Sequence, residues 1–144
     1  MILLTGMGQA IAYTFAAAGC HEIALLDQRR GSQKLQNRAI NHRQSGHTGG
    51  VLTNTYKADV TNVRNVTEVF SHIKEDFGSI GYAVNCAGVS SDFCASTDTE
   101  IDVFDCINNV NYRSVWLCSQ EELKIMKTQP LETPANAQMP DFRR

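Results

Sequence analysis

The sequence predicts an α/β domain, a doubly wound parallel sheet with helices on both faces. Three observations carry that expectation. Short apolar runs of strand length alternate with segments of helical periodicity. Two glycines, Gly6 and Gly8, stand where the first run gives way to the first helical segment. An acid, Asp27, closes the second run 19 residues after Gly8.

Composition bounds the rest. A chain of 144 residues, 42% hydrophobic and 19% charged, fits one globular domain able to bury a core. A formal net charge of -2 offers no basic footprint for nucleic acid and no cationic face for a membrane, which leaves a small-molecule ligand as the better expectation. The five cysteines (Cys20, Cys86, Cys94, Cys106, Cys118) are odd in number, irregularly spaced and without a C-x-x-C pair, so they read as thiols in a reducing compartment. His42 and His47 lie in a polar stretch and His21 and His72 stand apart, so no metal is assigned. Residues 1–20 end in Ala-Ala-Ala-Gly-Cys, as a secretory leader can, but the first Lys or Arg is Arg29, so the positive n-region of a leader is not expected here. No run approaches the ~18 apolar residues of a membrane span, and the expected location is the cytoplasm.

In chain order, residues 1–5 and 22–27 are strands. Between them Ile11, Phe15 and Ala18 recur at helical spacing, which makes one βαβ unit. Residues 32–44 predict a polar helix with Leu35, Ala39 and His42 on one side, and His-Thr-Gly-Gly then gives a loop before a third strand over 51–58. After Asp-Val-Thr-Asn, the residues Val63, Val66, Phe70, Ile73 and Phe77 repeat with helical spacing until Gly78, the clearest helix of the chain. Residues 79–88 (SIGYAVNCAG) predict a fourth strand running into a glycine turn, and 90–100 a polar loop ending at a helix cap. Ile101, Phe104, Ile107, Asn111 and Val115 mark the expected inward face of a long helix that runs to about residue 127. All three prolines, Pro130, Pro134 and Pro140, fall in the tail 128–144, which reads as a loop or disordered end. The expected organisation is one domain over 1–127 followed by that tail.

Ligands of such sheets bind beyond the carboxyl ends of the strands, and the suggestive residues stand there. Gly6 and Gly8 open a helix whose N-terminus suits a pyrophosphate. Asp27 has the offset of an acid that holds ribose hydroxyls. Asp59 and Asn85 end or follow strands three and four. Each has a plainer reading: a lone G-x-G is common at strand-helix turns, Asp59 before Thr61 is ordinary capping chemistry, Asn85 is a turn residue, and Asn111 is a core polar group bonded to nearby backbone. Their joint register favours the ligand reading.

Taken together, Thr-Gly followed by MGQAIA, then LLD, ADVTN, NCAG and NNVNYRSVWLC, resemble in order and spacing the first half of a short-chain dehydrogenase/reductase, over roughly residues 1–127. The resemblance implies a partial Rossmann-type domain with strand order 3-2-1-4. It implies Thr5, Gly6, Met7 and Gly8 in the phosphate loop, Asp27 at the ribose, Asp59 and Val60 flanking the adenine, and Asn85, Ala87 and Gly88 as strand-four and cofactor contacts. Asn111 would complete the catalytic group. The implied cofactor is NAD, with NADP disfavoured because Asp27 repels a 2′-phosphate, and the implied substrate is a small alcohol or carbonyl compound.

The sequence departs from the family pattern in two places. The family loop reads T-G-x-x-x-G-x-G, whereas Thr5-Gly6-Met7-Gly8 is four residues shorter. The family's catalytic Ser and Tyr-x-x-x-Lys also have no counterpart: Tyr13, Tyr56, Tyr82 and Tyr112 are followed four residues on by Ala17, Val60, Cys86 and Trp116. The expected function is an NAD(P)-dependent oxidoreductase represented by a fragment or shortened isoform. The alternatives are a non-catalytic dinucleotide- or partner-binding module and a degenerate product that does not fold. A fourth strand without a fifth beside it leaves an open edge, from which self-association is expected.

Overall fold

A computed structural model describes residues 2–3, 7–28, 51–91 and 95–130. The elements are β1 (Ile2–Leu3), α1 (Met7–Ala17), β2 (Glu22–Asp27), β3 (Leu52–Lys57), α2 (Val63–Phe77), a 3-10 turn (Ser96–Asp98), α3 (Ile101–Asn108), a π-helical turn (Asn109–Arg113) and α4 (Ser114–Met126). The helix expected over 32–44 and most of the proline-bearing tail lie outside the described residues. No helix among the described residues is long and apolar enough to cross a membrane.

β2 is the central strand. It pairs in parallel with β3 from Glu22↔Leu52 to Asp27↔Lys57, and with β1 at Ile2↔Leu25 and Leu3↔Leu26. Its run of Ile23, Ala24, Leu25 and Leu26 is buried throughout, as a parallel strand covered on both faces requires. The alternation of its side chains divides the core in two. Ile23 and Leu25 pack with Ala12 of α1, while Ala24 and Leu26 pack with Val66, Val69, Phe70 and Ile73 of α2 and with Cys118 and Ile125 of α4. The sheet is therefore covered on both sides.

The sequence signals at the ends of α2 are realised in detail. The Asn62 side chain accepts from the Asn65 N–H at 3.1 Å, and Gly78 closes the helix at a φ of 72° with its N–H donating to Lys74 O at 2.9 Å. That left-handed backbone is open to glycine at no steric cost.

Two expectations are corrected. Among the described residues the sheet has three strands in the order 3-2-1, and residues 79–88 contribute a single bridge, at Val84, where a full strand was expected. Side chains hold main-chain groups at the start of this segment and just past its end. The carboxamide of Gln129 accepts from Ile80 N at 2.9 Å and donates to Ile80 O at 3.0 Å, and Asn111 treats Val89 in the same way.

The second correction concerns the long helix. Its expected inward face is not buried at its start: α3 buries no residue, Ile101 and Phe104 are exposed, and Asn111 is exposed as well. The buried positions are Ser114, Leu117, Cys118, Glu122 and Ile125 of α4, which packs on α2. The π-helical turn at Asn109–Arg113 separates α3, which buries nothing, from α4, which carries the buried face.

Candidate functional site

The carboxyl ends of β2 and β3 open into a cleft of about 520 Å³. Leu26, Asp27, Ala58, Asp59 and Val60 form one wall, Ala87, Gly88 and Val89 a second, and Cys106, Asn109 and Val110 a third. Its size lies within the usual range of small-molecule sites.

The first wall is shaped by short-range hydrogen bonds. Ala58 N donates to Asp27 O at 2.9 Å, which carries the β2–β3 pairing one step past the strands. Asp59 then turns the chain: its carboxylate Oδ1 accepts from Thr61 N at 3.0 Å and from Thr61 Oγ1 at 2.7 Å, and its own N–H donates to Asn65 Oδ1 at 2.6 Å. The helix cap is therefore Asn62, and Asp59 holds the turn ahead of it. Val60 is buried in the core and also borders the cleft.

The second wall hangs from the last helices. Asn111 Oδ1 accepts from Val89 N and its Nδ2 donates to Val89 O, both at 2.8 Å, a two-point clamp on one residue's backbone. A Cβ added at Gly88 would lie 3.6 Å from Asn111 Oδ1, an ordinary contact, so crowding by Asn111 does not by itself demand glycine there. Arg113 ties the third wall to the first, donating from one guanidinium nitrogen to Thr61 O at 3.0 Å and Asn109 Oδ1 at 3.1 Å.

Asn85 points away from the cleft. Its Nδ2 donates to Glu122 Oε2 at 3.2 Å and Ser119 Oγ at 3.5 Å, beneath α4. Glu122 is only 5% exposed, and burial pushes its carboxyl above the ordinary value, against the opposing bond from Asn85. Among the described residues, Asn85 Oδ1 and Glu122 Oε1 are buried without a hydrogen-bond partner. A protonated Glu122 carries the donor that this pair lacks. Beside it Cys118 is fully buried, and burial raises its thiol to about 12, so it is an inert core group.

Of the residues singled out in the sequence, Asp27, Asp59, Val60, Ala87 and Gly88 line this one cleft, and Asn111 braces its edge. Met7 and Gly8 open α1, Met7 exposed and Gly8 buried, and neither is among the described residues of the cleft wall. Thr5 and Gly6 lie outside the described residues. Among the described residues no three His, Cys, Asp or Glu side chains gather as a metal site would require. Sequence reasoning missed Glu122, Gln129 and Arg113. An acid at the i+4 position from Cys118 and the i+8 position from Ser114 was a signal for the first, being a charge on an apolar stripe; the other two carry no local signal.

The donor set suits the adenosine end of a dinucleotide. Carboxylates at Asp27 and Asp59 accept from hydroxyl and amino groups, small residues at Ala87 and Gly88 leave room for a ring, and the first-turn N–H groups of α1 have no partner within that helix.

Comparison with known proteins bears on the family and the fold. A family model described as enoyl-(acyl carrier protein) reductase matches residues 3–137. Sepiapterin reductase of Chlorobaculum tepidum is 32% identical over 128 residues, covering 86% of this chain and 50% of the relative. A short-chain type dehydrogenase/reductase of Picea abies is 28% identical over 120 residues, covering 83% and 44%. The structure of xylitol dehydrogenase with NAD+ bound superposes with a TM-score of 0.71 at 28% identity, over 85% of this chain and 44% of that one. ElxO with NADP bound superposes at 0.67 and 25% identity, over 86% and 50%. The chain thus spans about half the length of the relatives it matches. Its motif order, its parallel sheet wound on both faces and these matches have one reading: the chain belongs to the short-chain dehydrogenase/reductase family.

Proposed function

We propose that this chain is the cofactor-binding portion of an NAD(P)-dependent oxidoreductase that moves hydride between the nicotinamide and a small alcohol or carbonyl compound. The observation that carries the reading is the single cleft in which Asp27, Asp59, Val60, Ala87 and Gly88 meet at the carboxyl ends of parallel strands. In this reading Asp27 accepts from the ribose hydroxyls, Asp59 and the Val60 main chain flank the adenine, and Ala87 and Gly88 give the cofactor close access to backbone. Thr5, Gly6, Met7 and Gly8 meet the pyrophosphate at the start of α1. Asn85 acts from behind, fixing the strand-four segment to Glu122. Asn111 positions Val89 through its side chain, while the π turn that carries it leaves the local main chain out of regular helical bonding.

The bound cofactor supplies the hydride chemistry; the residues of this chain bind and orient it. NAD is preferred over NADP, because a carboxylate at Asp27 attracts ribose hydroxyls and repels a 2′-phosphate, with Arg29 and Arg30 close enough in sequence to soften the preference. The proposed location is the cytoplasm, and self-association through an open sheet edge accompanies the reading.

Isothermal titration of the 144-residue chain with NAD+ and NADP+ tests it. Saturable binding with NAD+ the tighter is expected; tighter NADP+ overturns the preference, and no binding of either overturns the proposal. Because no tyrosine of this sequence has a lysine four residues on, the chain alone is expected to bind cofactor without turning over alcohols or ketones in an NAD(H) absorbance assay.

A further inference from the structure

Among the described residues Glu122 is the only buried acid, 5% exposed on the core side of α4. No described basic side chain pairs with it, and the nearby Lys124 goes to Glu121 at 2.7 Å. A carboxylate taken out of water without a cation is costly, and such a group keeps its proton instead. The hydrogen bonds around Glu122 point the same way. The Asn85 carboxamide has two donor hydrogens and one acceptor oxygen. Its Nδ2 meets two acceptors, Glu122 Oε2 at 3.2 Å and Ser119 Oγ at 3.5 Å, so both donors have a destination. What remains is Asn85 Oδ1 and Glu122 Oε1, each buried and, among the described residues, without a partner. With Glu122 ionised both are acceptors, on two groups already joined at their other atoms, and they repel. One proton on Oε1 supplies the missing donor and completes the pair that an acid forms with a primary amide, N–H to one carboxyl oxygen and O–H back to the amide oxygen.

The groups packed around this pair do not change that count. Cys118, one turn back on α4, is a thiol that burial keeps neutral. The face that α2 turns to this core is Val66, Val69, Phe70 and Ile73, all uncharged. Arg113 of the π turn is committed to Thr61 O and Asn109 Oδ1. Burial is the largest influence on the Glu122 carboxyl and favours the neutral form; the Asn85 bond and, more weakly, the amino-terminal charge oppose it without overcoming it.

We infer that Glu122 is a positioning residue for the cleft: as the neutral acid it grips the Asn85 carboxamide at two points and through it sets Ala87 and Gly88 in the cleft wall. The inference rests on the cofactor reading given above. Ala87 and Gly88 have no polar side chain with which to fix themselves, and they lie between two anchors, Asn85 held by Glu122 and Val89 held by Asn111. Loss of the Glu122 proton replaces an attraction at Asn85 Oδ1 by a repulsion. Cofactor affinity is therefore highest with Glu122 neutral and falls as pH rises through its titration.

The test reads three quantities on the 144-residue chain from pH 5 to 8.5: the carbon-13 shift of the Glu122 carboxyl, the amide shifts of Ala87 and Gly88, and the Kd for NAD+ by calorimetric titration. Glu122 is expected to be neutral at pH 6, the Ala87 and Gly88 amides to move with its midpoint, and NAD+ binding to weaken about fivefold across it, the worth of one hydrogen bond. Glu122→Gln supplies the second donor as an N–H at every pH, so its affinity should hold steady with pH and exceed that of the parent above the midpoint. Glu122→Leu, which offers neither bond, should bind about fivefold more weakly at pH 6. An ionised Glu122 at pH 6, Ala87 and Gly88 amides indifferent to its midpoint, or the same pH profile in Glu122→Gln each overturns the inference. Should the carboxyl stay neutral to pH 8.5, Glu122→Leu decides, and unmoved Ala87 and Gly88 amides in it overturn the inference. If the variants do not fold, the parent's carboxyl and amide titrations decide alone. If NAD+ binds at no pH, the cofactor reading fails, and those two titrations still tell whether Glu122 sets the wall.

Discussion

Replacing Asn111 with alanine removes both hydrogen bonds that hold Val89, each 2.8 Å long. A protein hydrogen bond contributes ~1 kcal/mol net, and the larger losses occur when a partner is left buried and unpaired. Asn111 and Val89 are both exposed, so the freed N–H and C=O of Val89 rehydrate, and the cost is about 1 kcal/mol for the pair of bonds. For a domain of this size that lowers the melting midpoint by roughly 4 °C. If the clamp also holds Ala87–Val89 in the form that receives cofactor, the same loss weakens NAD+ binding about fivefold. Calorimetric titration and a thermal melt on the same preparation read both quantities, with exchange of the Val89 amide as a local check. Asn111→Asp keeps an acceptor for Val89 N but cannot donate to Val89 O when ionised, and falls between the two. A lowered midpoint with unchanged affinity would refute the positioning role; an unprotected Val89 amide in the parent chain would refute the clamp itself.

Two further outcomes follow from other parts of the structure. Glu122→Gln should stabilise the chain increasingly as pH rises: burial lifts the folded carboxyl above its ordinary 4.5, so the stability tied to neutral Glu122 is fully present below that value and is lost as pH climbs through the folded one. Thermal midpoints of the two forms should coincide near pH 4 and separate by pH 8, each pKa unit of elevation being worth ~1.4 kcal/mol, whereas parallel curves would show that the carboxyl is solvated. A four-residue glycine-containing insert between Gly6 and Met7 should strengthen NAD+ binding by bringing more main-chain N–H groups to the pyrophosphate, and unchanged affinity in a folded variant would mean that the short loop suffices.

What the sequence made legible is what short-range patterns encode. β2 was readable because an unbroken apolar run of strand length suits a strand covered on both faces, and α2 because its apolar spacing and its flanking Asn62 and Gly78 agree. Asp27, Asp59, Val60, Ala87 and Gly88 could be grouped in advance because the carboxyl ends of parallel strands converge in space. The side-chain partners were not readable. Asn85 meets Glu122 across 37 residues, Gln129 meets Ile80 across 49, and no local pattern announces such pairs. The exposed start of the long helix was hidden for a related reason: Ile101 and Phe104 have the spacing of an inward face, but α3 buries no residue, and periodicity does not tell whether a neighbour covers that face. For the expected fourth strand, the described residues show one bridge, at Val84, and pairing of that kind depends on a neighbouring strand that no local pattern in 79–88 specifies.

The central claim is that the cofactor's adenosine half sits in the cleft at the ends of β2 and β3. Amide chemical-shift mapping by NMR during a titration of the chain with NAD+ tests it most directly. The account predicts saturable shifts at Asp27, Asp59, Val60, Gly88 and Val89, with Ile23 and Ala24 at the far end of the sheet unmoved. Shifts concentrated at Ile23 and Ala24, or none at the cleft residues up to millimolar NAD+, would contradict it.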